Sequence, residues 1–227
     1  FFEATNWATR VNLTTGVPQR VEAKQPETGI PLPDICPHAI GGKDLQPAAF
    51  SPRTRLFYVP ANRLCMTWEG LHVNYIEGTP FIGAAIEGTP APGGANQGEF
   101  FAWDAVTGRK AWRIPERFPV WSGALVTAGD VVFYGTMDGF FKAVDARTGA
   151  VLFRTRLDGG TIGHPMTFLG ADGRQRVAIY SGLGGALVPH DEFGVVEEFS
   201  GKGSGSGLGT LRNFVAEGKV HVFVLDR

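Results

Sequence analysis

Short apolar runs closed by turn residues dominate the chain, and few stretches repeat with a helical period. Leu56-Phe57-Tyr58-Val59-Pro60 reads as a buried strand ended by its proline, and Val131-Val132-Phe133-Tyr134-Gly135 as a central strand. Val220-His221-Val222-Phe223-Val224-Leu225 reads as a last strand, and Val11 to Val17 as a hairpin turning at Thr15-Gly16. The chain also says one thing twice. Ala102-Trp103-Asp104-Ala-Val-Thr107-Gly108-Arg-Lys-Ala-Trp112 is matched by Ala143-Val144-Asp145-Ala-Arg-Thr148-Gly149-Ala-Val-Leu-Phe153, each position shifted by 41 (102 to 143, 112 to 153). Each copy predicts strand, turn, strand. The Asp and Thr bond local backbone, the Gly takes positive φ, and the closing aromatic packs between neighbouring sheets.

A shift of this size is the period of a four-stranded propeller blade. The fold expected is therefore all-β: a partial β-propeller of about four blades, half of an eight-bladed ring. The expected divisions are a partial blade over 1–35, a blade with long loops over 46–115, a blade over 120–156 and a last, partial blade over 160–227. Two loop regions stand out, one from Cys36 through Gly41-Gly42 to Pro52 and a Gly- and Pro-rich excursion over Gly88 to Gly98. Adjacent glycines allow close backbone approach by a ligand or another strand, and long loops in a compact domain are usually functional or cover something. A half ring leaves sheet faces and edges open, so a partner is expected to cover them.

Composition adds little against this picture. The 32 glycines, 15 prolines and 17 phenylalanines suit many short strands and tight turns. A formal net charge of −1 offers no electrostatic case for nucleic acid or an anionic membrane, and no apolar run reaches bilayer length. The chain starts without Met or a signal-like segment, so it is expected to be processed or a piece of something longer. Its five histidines (His38, His72, His164, His190, His221) show no metal-ligand spacing. Neither a nucleophile elbow nor a phosphate loop is present; Gly201 to Gly207 reads as a linker-like tract, and Asn12-Leu13-Thr14 is a glycosylation sequon in form only. Cys36 and Cys65 lack a metal-binding pattern, which leaves two buried thiols or a disulfide closing a Pro-rich loop in an oxidising compartment.

Several phrases resemble a known family. They are Cys36-Pro-x-Ala-x-Gly-Gly-Lys-Asp44-x-Gln-Pro47, Phe50-Ser-Pro-x-Thr-x-Leu-Phe-Tyr-Val-Pro-Ala-Asn62-x-x-Cys65-Met66, Val120-Trp121-Ser-Gly-Ala-Leu-x-Thr-Ala-Gly129, Val132-Phe-Tyr-Gly-Thr-x-Asp-Gly139 and Ile162-Gly-x-Pro-Met-Thr167. Together they resemble the C-terminal part of pyrroloquinoline-quinone-dependent alcohol dehydrogenases, above all the methanol dehydrogenase group of eight-bladed periplasmic quinoproteins. The repeat resembles that family's tryptophan-docking motif.

The resemblance implies a Cys36–Cys65 disulfide and three residues at the quinone. Asp44 stands where the family places an Asn or Asp at the quinone edge, Asp being the choice of lanthanide-using members. Trp121 matches a tryptophan beside the cofactor. Gly184-Gly185 matches the pair before a further cofactor-contacting tryptophan, but Ala186 occupies that tryptophan's place. Ligands for a calcium or lanthanide ion, and the catalytic Asp base, come in the family from the preceding half, so no catalytic or metal-ligating residue is assigned to this chain. The implied activity is oxidation of a small primary alcohol, with electrons passed to a periplasmic cytochrome c and the N-terminal half of the propeller as partner. Two other readings are a non-catalytic propeller scaffold that binds a protein across its open edges, and a cofactor-free homodimer that closes its own ring.

Overall fold

The computed structural model describes residues 2–78, 83–182 and 218–224. The described residues form sixteen strands and one 3-10 turn at Glu22–Lys24. In chain order the strands are β1 (Ala8–Val11), β2 (Pro18–Arg20), β3 (Leu32–Ile35), β4 (Ala49–Ser51), β5 (Leu56–Asn62), β6 (Leu64–Gly70), β7 (Ala84–Pro90) and β8 (Gly98–Asp104). They continue as β9 (Arg109–Glu116), β10 (Leu125–Val126), β11 (Val131–Gly135), β12 (Phe140–Asp145), β13 (Val151–Arg156), β14 (Met166–Leu169), β15 (Gln175–Ser181) and β16 (Lys219–Val224). Two four-stranded antiparallel sheets, β4-β5-β8-β9 and β10-β11-β12-β13, are the blades of a partial β-propeller, followed by the sheet β14-β15-β16. A hairpin β1-β2 and a sheet β3-β6-β7 complete the fold.

The two copies of the repeat occupy equivalent places, the hairpins β8–β9 and β12–β13. Their ladders even slip at matching points, between Ala102 and Trp103 and between Ala143 and Val144. In the first turn Asp104 Oδ1 accepts the N–H groups of Val106 and Thr107; in the second Asp145 Oδ1 accepts those of Arg147 and Thr148 and the Thr148 hydroxyl. Gly108 and Gly149 close these turns at φ of 65° and 74°, a conformation that L side chains resist.

The closing aromatic of the first copy ties one blade to the next. Trp112 packs on Tyr58 and Phe100, and its Nε1–H donates to the Ala146 carbonyl of the following blade at 3.0 Å. The Tyr58 hydroxyl donates to the same carbonyl, using its second lone pair. Phe100 stacks on Tyr134 across the seam, with ring centroids 3.9 Å apart. Beside that stack lies a buried ion pair: Lys142 Nζ donates to both Glu116 oxygens, and the Tyr134 hydroxyl donates to Glu116 Oε1. Burial, and then the Glu116 charge, push the Tyr134 phenol well above its ordinary value.

Two local expectations are corrected. Pro60 does not end β5, which continues to Asn62. β4 pairs only with Leu56–Tyr58, so at Pro60 one side of β5 has no ladder partner and the missing N–H costs nothing there. The Gly88–Gly98 excursion begins later, because Gly88, Thr89 and Pro90 belong to β7 and pair with Met66, Cys65 and Leu64. β6 and β7 are inserted between β5 and β8 and join β3, and a Cys36–Cys65 disulfide staples this accessory sheet.

The last sheet has two unlike faces. Val177, Ile179 and Phe223 pack on Phe133, Phe141, Ala143 and Leu157 of the preceding blade. The ladder partners Met166–Ala178–Val222, Phe168–Arg176–Val224 and Tyr180–Val220 share the other face. There Met166, Phe168, Tyr180, Val220, Val222 and Val224 are all exposed.

Candidate functional site

Two of the three site residues expected at a quinone, Asp44 and Trp121, lie on two segments held at the ends of the blade strands. Trp121 follows β9 and is half-buried. Behind it the chain is pinned on three sides. Val120 N–H donates to Ala61 O, Ser122 Oγ donates to Gly163 O while accepting from Gly135 N–H, and Gly123 N–H donates to His164 Nδ1. With Nδ1 accepting this bond, His164 carries its ring hydrogen on Nε2. A Cβ at Gly123 would lie 2.5 Å from that ring and 2.9 Å from Pro47, so only glycine fits between the two loops.

Asp44 is exposed at the tip of the loop that runs from Gly41 to Pro47. Within the loop Gln46, which is buried, accepts the Asp44 N–H on Oε1, and Lys43 Nζ donates to the carbonyls of Asp44 and Gln46. The loop is anchored at both ends: Ala124 N–H donates to Pro47 O, and Asn62 donates from Nδ2 to Gly41 O and from its backbone N–H to Gly42 O. The close approach expected at the paired glycines is made by protein. A Cβ at Gly42 would lie 3.1 Å from the Glu3 side chain and 3.3 Å from the Phe2 ring. Glu3 in turn pairs with Arg63 and Lys110, and burial raises its carboxyl above the ordinary range.

Asn62 joins the two segments. Its Oδ1 accepts the Trp121 Nε1–H at 3.1 Å while its Nδ2 holds Gly41. Trp121 and the Asp44 loop thus belong to one hydrogen-bonded assembly, whereas Gly185 and Ala186 lie outside the described residues. Asn62, Gln46 and His164 were not singled out from sequence as site residues. The signal available for Asn62 was a polar residue closing the apolar run Leu56 to Ala61.

This arrangement suits one wall of a planar quinone. The polar edge of Trp121 is already bonded to Asn62, which leaves its ring for aromatic contact, and Asp44 offers an exposed carboxylate beside the pinned glycine backbone. A metal ion is different: among the described residues no group of three or more His, Cys, Asp or Glu gathers to hold one.

Comparison with known proteins agrees with the fold. Residues 114–177 match the family model described as glucose/ethanol/alcohol dehydrogenase, beta-propeller domain, PQQ. The chain is 48% identical, over 81% of its length, to the lanthanide-dependent methanol dehydrogenase of Methylacidiphilum fumariolicum, and spans 30% of that protein. It is 38% identical, over 99% of its length, to the methanol dehydrogenase [cytochrome c] subunit 1 of Paracoccus denitrificans, and spans 36% of it. The structure of a europium-containing methanol dehydrogenase superposes on 99% of the chain with a TM-score of 0.89 at 42% identity, the chain spanning 40% of that structure. The chain belongs to the pyrroloquinoline-quinone-dependent methanol and alcohol dehydrogenase family.

Proposed function

We propose that this chain forms one wall of the quinone pocket of a periplasmic quinoprotein that oxidises a small primary alcohol to the aldehyde and passes the electrons to a cytochrome c. The observation that carries the reading is the bonded assembly of Trp121, Asn62 and the Asp44 loop. Of its residues, Trp121 would pack at the quinone edge and Asp44 would contact the ring system; Gly185, outside the described residues, is proposed as a third quinone neighbour whose missing side chain would allow close approach. The quinone, when bound, takes up the two electrons removed from the alcohol. The chain's own contribution is to orient that ring and to exclude water from its face; Ser122, Gly123 and His164 keep the Trp121 segment from yielding.

The metal ion, calcium or a lanthanide, and the carboxylate base belong in this proposal to residues outside the described ones. Asp44 and the names of the lanthanide-dependent relatives favour a lanthanide. The remainder of the ring is the proposed partner. It would cover the apolar face of Met166, Phe168, Tyr180, Val220, Val222 and Val224, and the chain's 30–40% share of its relatives' lengths supports this. The divisions 1–35, 46–115, 120–156 and 160–227 are proposed as its blades. The disulfide supports an oxidising compartment, and among the described residues no helix is long and apolar enough to cross a membrane.

Reconstitution tests this reading. The quinone-free enzyme, this chain together with the remainder of the ring, is given pyrroloquinoline quinone with calcium or a lanthanide, and cytochrome c reduction is followed with methanol and ethanol. Alcohol-dependent reduction that requires both quinone and metal is the expected result. No alcohol-dependent reduction with either metal overturns it.

A further inference from the structure

Asn62 has an unusual place for a polar side chain. It ends an apolar strand, only 1% of it is exposed, and both ends of its amide are used. Oδ1 takes the Trp121 indole N–H at 3.1 Å, Nδ2 gives to Gly41 O at 3.2 Å, and the backbone N–H gives to Gly42 O at 2.9 Å. Burying an amide is costly unless its groups are paired, and here the partners lie 59 and 21 residues away on segments that meet at this side chain. A strand end needs no such bridge.

We propose that Asn62 is the positioning residue of the quinone pocket, holding the Trp121 ring and the Asp44 loop in one fixed relation. It touches neither substrate nor reacting atoms; it acts through Trp121 and through the backbone of Gly41 and Gly42. The inference rests on the reading of Trp121 as a quinone contact. Losing Asn62 frees the indole to turn about its side-chain torsions and lets the loop drift, so the quinone is bound more weakly and in a less defined orientation.

The test uses the complete enzyme freed of its quinone, with pyrroloquinoline quinone as the probe, measuring its Kd by equilibrium dialysis and its induced circular dichroism in variants that remain folded. Asn62→Leu, which removes both amide bonds, is expected to raise Kd about tenfold or more and to diminish the induced signal, the weight of a lost buried hydrogen bond. Asn62→Asp keeps the acceptor for Trp121 and loses the donor to Gly41, so its Kd falls between wild type and Leu. Trp121→Phe, which keeps a ring but loses the N–H, reproduces part of the same loss and serves if the Leu variant does not fold. If Trp121→Ala weakens quinone binding while Asn62→Asp and Trp121→Phe bind with wild-type Kd and dichroism, the positioning role is overturned and the Trp121 contact stands. A lowered melting temperature with unchanged Kd and dichroism in the Asn62 variants also overturns it, because that is what a purely structural residue gives. An unchanged Kd in Trp121→Ala overturns the Trp121 reading and this inference together.

Discussion

The seam after β9 and the seam after β13 are built on the same repeat but are held differently. At the first, Trp112 closes the repeat and adds a hydrogen bond to Ala146 O on top of its packing, next to the Glu116–Lys142–Tyr134 cluster. At the second, Phe153 closes the repeat. It has no N–H to offer, meets Phe223 edge-on at 5.9 Å and stays 46% exposed, while Phe141 and Phe223 stack at 5.0 Å. The repeat therefore specifies the turn and the strand register, while its closing residue and the groups beside it set how firmly the next sheet is attached. The polar, pinned seam is also the one beside Trp121.

The largest effect on this contrast is expected from Lys142→Met. It leaves Glu116 buried without its cation and costs about 3–5 kcal/mol in guanidinium unfolding, whereas Glu116→Leu with Lys142→Met costs much less. A single variant that unfolds like wild type would remove the ion pair from the account of the first seam. Next come the two turn glycines. Gly149→Ala must take a left-handed conformation and place a Cβ 2.7 Å from the Trp112 ring, for a loss of about 3 kcal/mol. At Gly108, where no atom lies within 4 Å, Ala carries only the conformational cost, about 1–2 kcal/mol. Equal losses would mean that Trp112 does not press on the second turn in solution.

A smaller loss, about 1 kcal/mol, is expected from Trp112→Phe, which makes the first seam resemble the second by deleting the bond to Ala146 O. The weakest effect is on acid stability. The Val106 N–H holds the Asp104 carboxyl below its ordinary value, and the Thr148 hydroxyl does the same for Asp145. With folded values lowered, the unfolded chain binds protons first. Their stabilisation is complete above the ordinary aspartate value of about 3.9 and is lost as pH falls through the folded values. Asp145→Asn should flatten that acid limb in a pH series of melting temperatures, and a limb of unchanged slope would count against the turn carboxylate.

These contrasts mark what was legible in the chain. The blades were visible because Asp104-x-x-Thr107-Gly108 and its copy are local chemistry, and a turn needs no distant partner. The disulfide was not decidable from Cys36 and Cys65 alone, since both readings bury them; the family phrases inclined it, and the fold supplies the pairing. Pro60 misled because the rule for proline depends on whether a neighbouring strand wants its N–H, and β4 is too short to ask. Lys142 sits in sequence among Phe140, Phe141, Ala143 and Val144, and nothing local names Glu116, 26 residues away, as the partner that makes that position tenable. Trp121 and Asp44 entered through the resemblance, and Asn62 stayed hidden because its meaning lies in bonds across 59 and 21 residues.

Native mass spectrometry of the purified protein tests the central claim most directly. The account predicts a complex in which this chain, the rest of the ring, one quinone and one metal ion travel together. A folded monomer or homodimer that takes up no quinone, even when offered it with calcium or a lanthanide, would contradict the claim that this chain builds a quinone pocket.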